Sequence, residues 1–182
     1  SMDGVLITVD DVEKSIMSLK NSVSRTPDSI PSYFLRKTVH SLAKPLTLLF
    51  NISISTGKLP QTWKTALVIP LFKKGAKNSP GNYRPISLTS AICRTMESVL
   101  NKKITEHLLE KNLISNVQHG FICKRSTQTQ LLKFFNDVTK IQSNKINSDV
   151  IYIDFSKAFD KISHSKLLPV LNHYKIHPSV IN

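Results

Sequence analysis

The chain of 182 residues is 40% hydrophobic, so it is long enough to bury a core and too apolar to be disordered. Its 25 lysines and arginines outnumber its 12 aspartates and glutamates, which gives a formal net charge of +13. This charge favours nucleic acid as the partner over an anionic membrane, although a merely soluble basic surface would look the same. The two cysteines lack a Cys-x-x-Cys spacing, so the sequence suggests neither a zinc site nor a disulfide framework.

Ser1 and Met2 look like an expression scar, and neither a signal segment nor an apolar run of about 18 residues follows them. We therefore expect no membrane partner. Reduced cysteines fit an intracellular protein, and both the nucleus and the cytoplasm are compatible locations.

The first predicted element is a short amphipathic helix. Thr8 and Asp11 have the spacing of an approximate capping box, and apolar residues follow at helical intervals. Asp10 and Asp11 are interpreted as helix-start acids rather than metal ligands, because negative charge in a first turn offsets the helix dipole.

The next third of the chain predicts helices followed by a basic β-hairpin. Residues 35–57 have helical periodicity, with a break near Pro45 and a stop at Gly57. The runs TWKTALVIPLF and RPISL predict two strands. Because the segment between them is rich in turn residues and lysine, we expect the strands to pair as a hairpin with a basic tip. A long amphipathic helix is then expected over residues 89–112.

The last third predicts a loop at QHGF, an amphipathic helix, a strand and a closing helix. The strand is SDVIYIDF at residues 148–155. The closing helix contains Pro169, which is expected near its first turn, where proline is least harmful.

Asp154 stands at the end of that predicted strand. Because side chains alternate, Asp154 would lie on the less apolar face, while Ile151, Ile153 and Phe155 would be buried on the other. A carboxylate held there suits Mg²⁺, a hard ion that prefers oxygen ligands. From the residues alone, the alternative that Asp154 bonds to nearby backbone amides stays open.

Five motifs follow one another along nearly the whole chain. They are PDSIP, LPQTWKTALVIPLFKKG, NYRPISLTS, QHGF with a nearby ST, and YIDFSKAFDKISH. Together they resemble the reverse transcriptases of non-LTR, or LINE-type, retrotransposons. The resemblance implies an α+β fragment of a right-hand polymerase, with mostly helical fingers, a basic β-hairpin and the first palm strand. Residues 3–147 would form the fingers and their connection to the palm. Residues 148–182 would form the start of the palm, which is truncated.

The resemblance implies roles for several residues of the palm. Asp154 matches the first of three catalytic aspartates, a ligand of two Mg²⁺ (or Mn²⁺) ions, and the backbone carbonyl of Phe155 commonly completes the metal shell. Phe159 matches the bulky residue that crowds the 2′ position of the incoming nucleotide and so favours deoxynucleotides. Asp160 matches no metal ligand and is interpreted as a turn or helix-start residue.

The resemblance also implies contacts to an RNA template, a DNA primer and deoxynucleotide triphosphates. Arg84 matches the fingers arginine that grips the triphosphate, a role suited to a planar fork of donors. Lys73 or Lys74 matches the lysine near the same phosphates, and the sequence leaves the choice open. Gln118 and Gly120 are candidate template contacts, with simple loop packing as the open alternative.

Some family features are missing or altered. The second catalytic motif, an aromatic-x-Asp-Asp hairpin, is absent, so these residues alone are expected to be inactive although their parent is a polymerase. Thr26 and Ser29 stand where glycines are usual. The alternatives are a truncated or domesticated relic that binds nucleic acid or protein without catalysis, and an unrelated helical interaction domain. A first palm strand without neighbours would expose an edge and predicts a homodimer.

Overall fold

The structure, a computed structural model, describes residues 2, 4–24, 26–156, 158 and 161–181. The elements within this part of the chain are α1 (Val9–Ser18), α2 (Ser32–Lys37), α3 (Val39–Thr56), β1 (Leu67–Phe72), β2 (Tyr83–Leu88), α4 (Ala91–Glu110), α5 (Thr127–Ser143), α6 (His164–His173) and α7 (Pro178–Ile181). This mixture of helices with one antiparallel sheet confirms the predicted α+β class. None of the described helices combines the length and apolar composition needed to cross a bilayer.

The chain divides into two compact units. The first consists of Ser1–His107 with Leu171–Asn182, and the second is Leu108–Val170. The predicted boundary between fingers and palm, at residues 147 and 148, stays a prediction.

Helix α1 begins at the predicted capping box. The Thr8 hydroxyl accepts a hydrogen bond from the Asp11 amide at 3.2 Å, and the Asp11 carboxylate accepts one from the Thr8 amide at 3.1 Å. Burial alone would raise the pKa of Asp11, but these hydrogen bonds and the Lys103 ammonium, 3.1 Å away, lower it. Asp10 pairs with Lys14 at 2.6 Å, so both acids act as helix-start residues, as predicted.

The core of the first unit is built from the apolar faces of the first four helices. Phe50 is fully buried and meets Trp63 edge to face, with ring centroids 5.8 Å apart. The Ser15 hydroxyl donates to the Thr95 carbonyl at 3.0 Å and so links α1 to α4. Other core residues are Val12, Ile16, Leu35, Val39, Ala43, Leu46, Met96 and Val99.

Two prolines lie deeper inside helices than the sequence predicts. The break between α2 and α3 falls at Thr38, whereas Pro45 is an interior residue of α3. Pro45 is on the exposed side, where water can satisfy the carbonyl that it leaves free, and its neighbours Ala43 and Leu46 are buried. Packing therefore outweighs the intrinsic preference. Pro169 is likewise the sixth residue of α6, beyond its first turn.

The predicted hairpin is present. Strands β1 and β2 pair antiparallel, with Leu67 opposite Leu88 at one end and Phe72 opposite Tyr83 at the other. Every residue of β1 is exposed, and so are the four middle residues of β2, whereas its end residues Tyr83 and Leu88 are half-buried.

The predicted strand at residues 148–155 is wrong. The segment has no strand pairing, and the side chains expected to be buried, Ile151, Ile153 and Phe155, are 83%, 80% and 78% exposed. A strand forms when its backbone has a ladder partner, and the two described strands pair only with each other. A homodimer through this strand edge therefore stays a prediction that first requires the segment to become a strand.

Candidate functional site

The hairpin register places Arg84 and Lys73 on one face. Arg84 lies opposite Leu71, and the ladder continues beyond β1 through a hydrogen bond from the Lys73 amide to the Asn82 carbonyl at 2.8 Å. Because side chains alternate along a strand, Lys73 shares the face of Leu71 and Arg84. Lys74 falls in the bend that follows the ladder. The two lysines that the sequence could not separate therefore occupy different positions.

The tip of the hairpin is fixed by side chains that bond to its own backbone. Gly75 has a φ of 90°, and a Cβ there would meet the Asn82 side chain at 2.7 Å, so only glycine fits. The Asn82 amide donates to the Ala76 carbonyl at 2.8 Å, and the Tyr83 hydroxyl donates to the Lys77 carbonyl at 2.8 Å. These bonds give the lysine-rich tip a defined shape.

The cations of the hairpin have no acidic partner among the described residues. Lys73, Lys74 and Arg84 are exposed, and within the described ranges no carboxylate lies within ion-pair distance of them. Other lysines of the same unit do find carboxylates, as Lys103 does with Asp11. The hairpin therefore presents unneutralised positive charge that an external anion can bind.

The PDSIP segment is tied to the start of α4. The Ser90 hydroxyl donates to the Asp28 carboxylate and accepts from the Cys93 amide at 3.3 Å, as an N-cap residue does. Thr26 donates to the same carboxylate at 2.6 Å. Ser29 has a φ of 58°, in the left-handed region that favours glycine, so the segment turns where the family usually places glycine.

Replacing Ser90 with alanine is expected to destabilise the protein by about 2 kcal/mol near neutral pH, because α4 loses its cap and Asp28 a donor. Burial alone would raise the pKa of Asp28, but the hydrogen bonds from Ser90, Thr26 and the Ile30 amide lower it. Asp28 therefore stabilises the fold above its unfolded pKa of about 3.9, and this contribution is lost as pH falls through the lower folded pKa. Urea unfolding should show the Ser90→Ala penalty shrinking below about pH 4; a constant penalty would contradict this coupling.

The QHGF loop of the second unit is held by Arg125, which no motif singled out. The Arg125 guanidinium donates to the carbonyls of Ser115 at 3.2 Å, Asn116 at 3.3 Å and Gln118. The Gln118 side-chain amide donates to the Gly120 carbonyl at 3.0 Å, so part of this candidate template contact is engaged in loop packing. An arginine just before the ST pair was the signal that could have identified this anchor.

Helix α5 begins directly after this loop. Ser126 and Thr129 form a capping box, and the His119 Nδ1 atom lies 2.9 Å from the Thr129 hydroxyl. A cavity of about 370 Å³ opens between the loop and the helix start, lined by residues that include His119, Gly120 and Arg125. The His119 Nε2 atom is buried, with no hydrogen-bond partner in the described part of the chain.

Asp154 and Phe155 follow one another in an exposed segment. The Asp154 carboxylate bonds to no described residue, and Phe155 places a backbone carbonyl directly after it. These hard oxygen donors fit Mg²⁺, which takes few protein ligands and completes its shell with water and phosphate. No group of three or more His, Cys, Asp or Glu side chains is gathered for a metal within the described ranges. Phe159 and Asp160 lie outside the described residues.

Known proteins match this chain over most of its length. The family model for reverse transcriptase (RNA-dependent DNA polymerase) matches residues 72–182. The chain is 26% identical over 163 residues to a probable RNA-directed DNA polymerase from transposon BS of Drosophila melanogaster, covering 89% of this chain and 18% of the relative. It is 28% identical over 164 residues to the RNA-directed DNA polymerase from mobile element jockey of the same species, with the same coverage.

A third relative is the retrovirus-related Pol polyprotein from type-1 retrotransposable element R1 of Bradysia coprophila. The chain is 25% identical to it over 170 residues, which cover 89% of this chain and 16% of the relative. The chain therefore spans less than a fifth of the length of the curated relatives described here.

Proposed function

Because the chain belongs to the reverse transcriptase (RNA-dependent DNA polymerase) family, we propose that it forms the fingers and the start of the palm of a retrotransposon RNA-directed DNA polymerase. The observation that carries this proposal is the hairpin face on which Arg84 and Lys73 stand exposed and without an acidic partner among the described residues. Since the chain spans less than a fifth of these relatives, the reaction is that of a longer polymerase to which these residues contribute.

The hairpin binds the triphosphate of the incoming deoxynucleotide. The Arg84 guanidinium can donate to two phosphate oxygens at once, and the Lys73 ammonium adds a point charge on the same face. Leu71 and Ile86 share that face and supply apolar surface beside the charges. Because neither cation must first leave a described carboxylate, binding the nucleotide breaks no internal ion pair.

Asp154 and the carbonyl of Phe155 would hold Mg²⁺ in the whole polymerase. When bound, the ion activates the primer 3′-hydroxyl and neutralises charge on the triphosphate. The exposed Asp154 carboxylate supplies the negative charge that recruits the ion, and no described hydrogen bond has to break first. Phe159 would crowd the 2′ position of the nucleotide and exclude a ribonucleotide.

Two further parts of the proposal concern the second unit. The segment 149–155 pairs with palm strands of the longer protein, which covers the apolar side chains now exposed at Ile151 and Ile153. The loop that contains Gln118 and Gly120 faces the RNA template, and Arg125 fixes its shape.

Primer extension by the whole polymerase tests the proposed function. With a DNA primer on an RNA template, we expect labelled DNA of template length, and none when the template or the deoxynucleotides are left out. A protein that binds the primer-template but never extends it would instead be a binding module without catalysis.

Replacing Lys73 with glutamine is expected to raise the KM for deoxynucleotide about tenfold, the value of one charge-assisted phosphate contact. Lys74→Gln removes the same charge from the neighbouring bend and should change KM by less than about twofold. Steady-state primer extension at fixed primer-template measures both. Equal effects of the two variants would show that the face assigned from the hairpin register does not decide the contact.

A further inference from the structure

A pocket with both polar and apolar walls lies in the first unit, away from the tip of the hairpin. It has a volume of about 320 Å³ and is bordered by the chain after α1, the end of β2 and the first turn of α4. Its lining includes Leu19, Lys20, Ser24, Thr26, Leu88 and Arg94. No aspartate or glutamate lines it among the described residues.

Arg94 is the unusual member of this lining. Its side chain is half-buried, yet its guanidinium has no hydrogen bond or ion pair with any described residue. The half-buried Arg36, by contrast, donates to the carbonyls of Met17 and Leu19, the latter at 2.8 Å. Partial removal of a guanidinium from water is unfavourable unless an acceptor replaces the water. The missing acceptor points to an external anion.

Two further donors border the same space. The Ser22 hydroxyl donates to Ser24 Oγ at 2.7 Å, which leaves the Ser24 proton free to point to a ligand. The Lys20 ammonium is exposed and has no partner in the described ranges. The Asp28 carboxylate accepts hydrogen bonds from Ser90 and Thr26, and no ion pair joins it to Arg94.

We propose that this pocket binds a phosphodiester group of a single-stranded nucleic acid, an inference that rests on the proposed function. Arg94 and Lys20 supply the charge, and Ser24 supplies a neutral donor. The apolar walls, Leu19 and Leu88, suit the sugar and base that flank a phosphodiester but add nothing for a free phosphate ion. Leu88 follows Arg84 by four residues of β2, or about 13 Å, so the pocket and the nucleotide-binding face lie at different positions of the same strand.

The test measures binding of a labelled 12-nucleotide single-stranded RNA to residues 1–182 between 50 and 300 mM salt. Arg94→Gln is expected to weaken binding about 5- to 10-fold at the lowest salt. It should also make the plot of log affinity against log salt shallower by about 0.7, the value of one phosphate contact on a single strand. Lys44→Gln, which removes an exposed lysine of α3 outside the pocket, is the matched control and should leave the affinity within about twofold.

Two further measurements keep the outcome unambiguous. Lys20→Gln changes an exposed residue and should reproduce part of the loss even if Arg94→Gln fails to fold, as monitored by thermal unfolding. Titration with inorganic phosphate distinguishes a free phosphate ion from a phosphodiester as the ligand. If Arg94→Gln abolishes phosphate binding but leaves the RNA affinity unchanged, the proposal that the pocket binds a nucleic-acid strand is overturned. Wild-type RNA binding unaffected by either pocket variant would overturn the pocket and leave the proposed function intact. If the wild type does not bind RNA at 50 mM salt, both the pocket proposal and the proposed function are overturned.

Discussion

In the whole polymerase that carries these residues, Asp154→Asn is expected to lower the rate of DNA synthesis by about 10³-fold, equivalent to about 4 kcal/mol. The amide keeps the size of the side chain but loses the negative charge that would recruit the divalent ion. Because Asp154 is exposed and bonds to no described residue, the variant should unfold at the same temperature as the wild type. Single-turnover primer extension under saturating nucleotide measures the effect.

The matched control is Asp149→Asn, since Asp149 is an exposed carboxylate five residues earlier in the same segment. It removes the same charge and should change the rate by less than about threefold. If both variants lose activity equally, general charge in this segment matters rather than a metal ligand at Asp154.

Removing the Arg84 side chain should lower kcat/KM for deoxynucleotide by about 10²-fold, mostly through KM. A guanidinium that donates to two phosphate oxygens contributes about 2 to 3 kcal/mol, and alanine leaves the phosphates without either bond. Arg84 is exposed and its side chain makes no hydrogen bond or ion pair with a described residue, so the fold should be unaffected. Steady-state kinetics on a fixed RNA template provide the measurement.

Two further variants separate the contribution of the Arg84 charge from that of its geometry. Arg84→Lys retains the charge but not the fork, and should recover about tenfold of the loss. Lys64→Ala, at an exposed residue before β1, should have little effect. A KM unchanged in Arg84→Ala would remove the hairpin from the nucleotide site.

Elements that depend on local chemistry were predictable from the sequence. The capping box of Thr8 and Asp11, the left-handed Gly57 that ends α3, and the hairpin all follow from short-range rules. The long helix α4 was also predicted, although its buried side includes His107 and Thr95 as well as apolar residues.

Elements that depend on distant partners were not predictable. The periodicity of residues 148–155 is that of a strand, but strand formation needs a ladder that no described strand provides. The local sequence predicts a helix break at Pro45. Pro45 is exposed, but its buried neighbours keep α3 continuous. In both cases the deciding contribution comes from tertiary contacts.

The candidate site shows the same division. Residue types and order predicted Arg84 and Asp154 as site residues, whereas the different positions of Lys73 and Lys74 depend on the hairpin register. The sequence does not indicate a role for Arg94, because an arginine in an amphipathic helix is typical of a solvated charge. Its significance depends on partial burial and on the acceptor that it lacks among the described residues.

The central claim, that the hairpin of this chain binds the nucleotide triphosphate in a polymerase, is tested most directly by the salt dependence of deoxynucleotide binding. Residues 1–182 should bind a labelled deoxynucleotide triphosphate with an affinity that falls as salt rises. The decline should be shallower in the double variant Lys73→Gln, Arg84→Gln than in Lys44→Gln, Lys64→Gln, which removes the same charge elsewhere. Identical salt dependence in the two double variants, or no binding at low salt, would contradict the account.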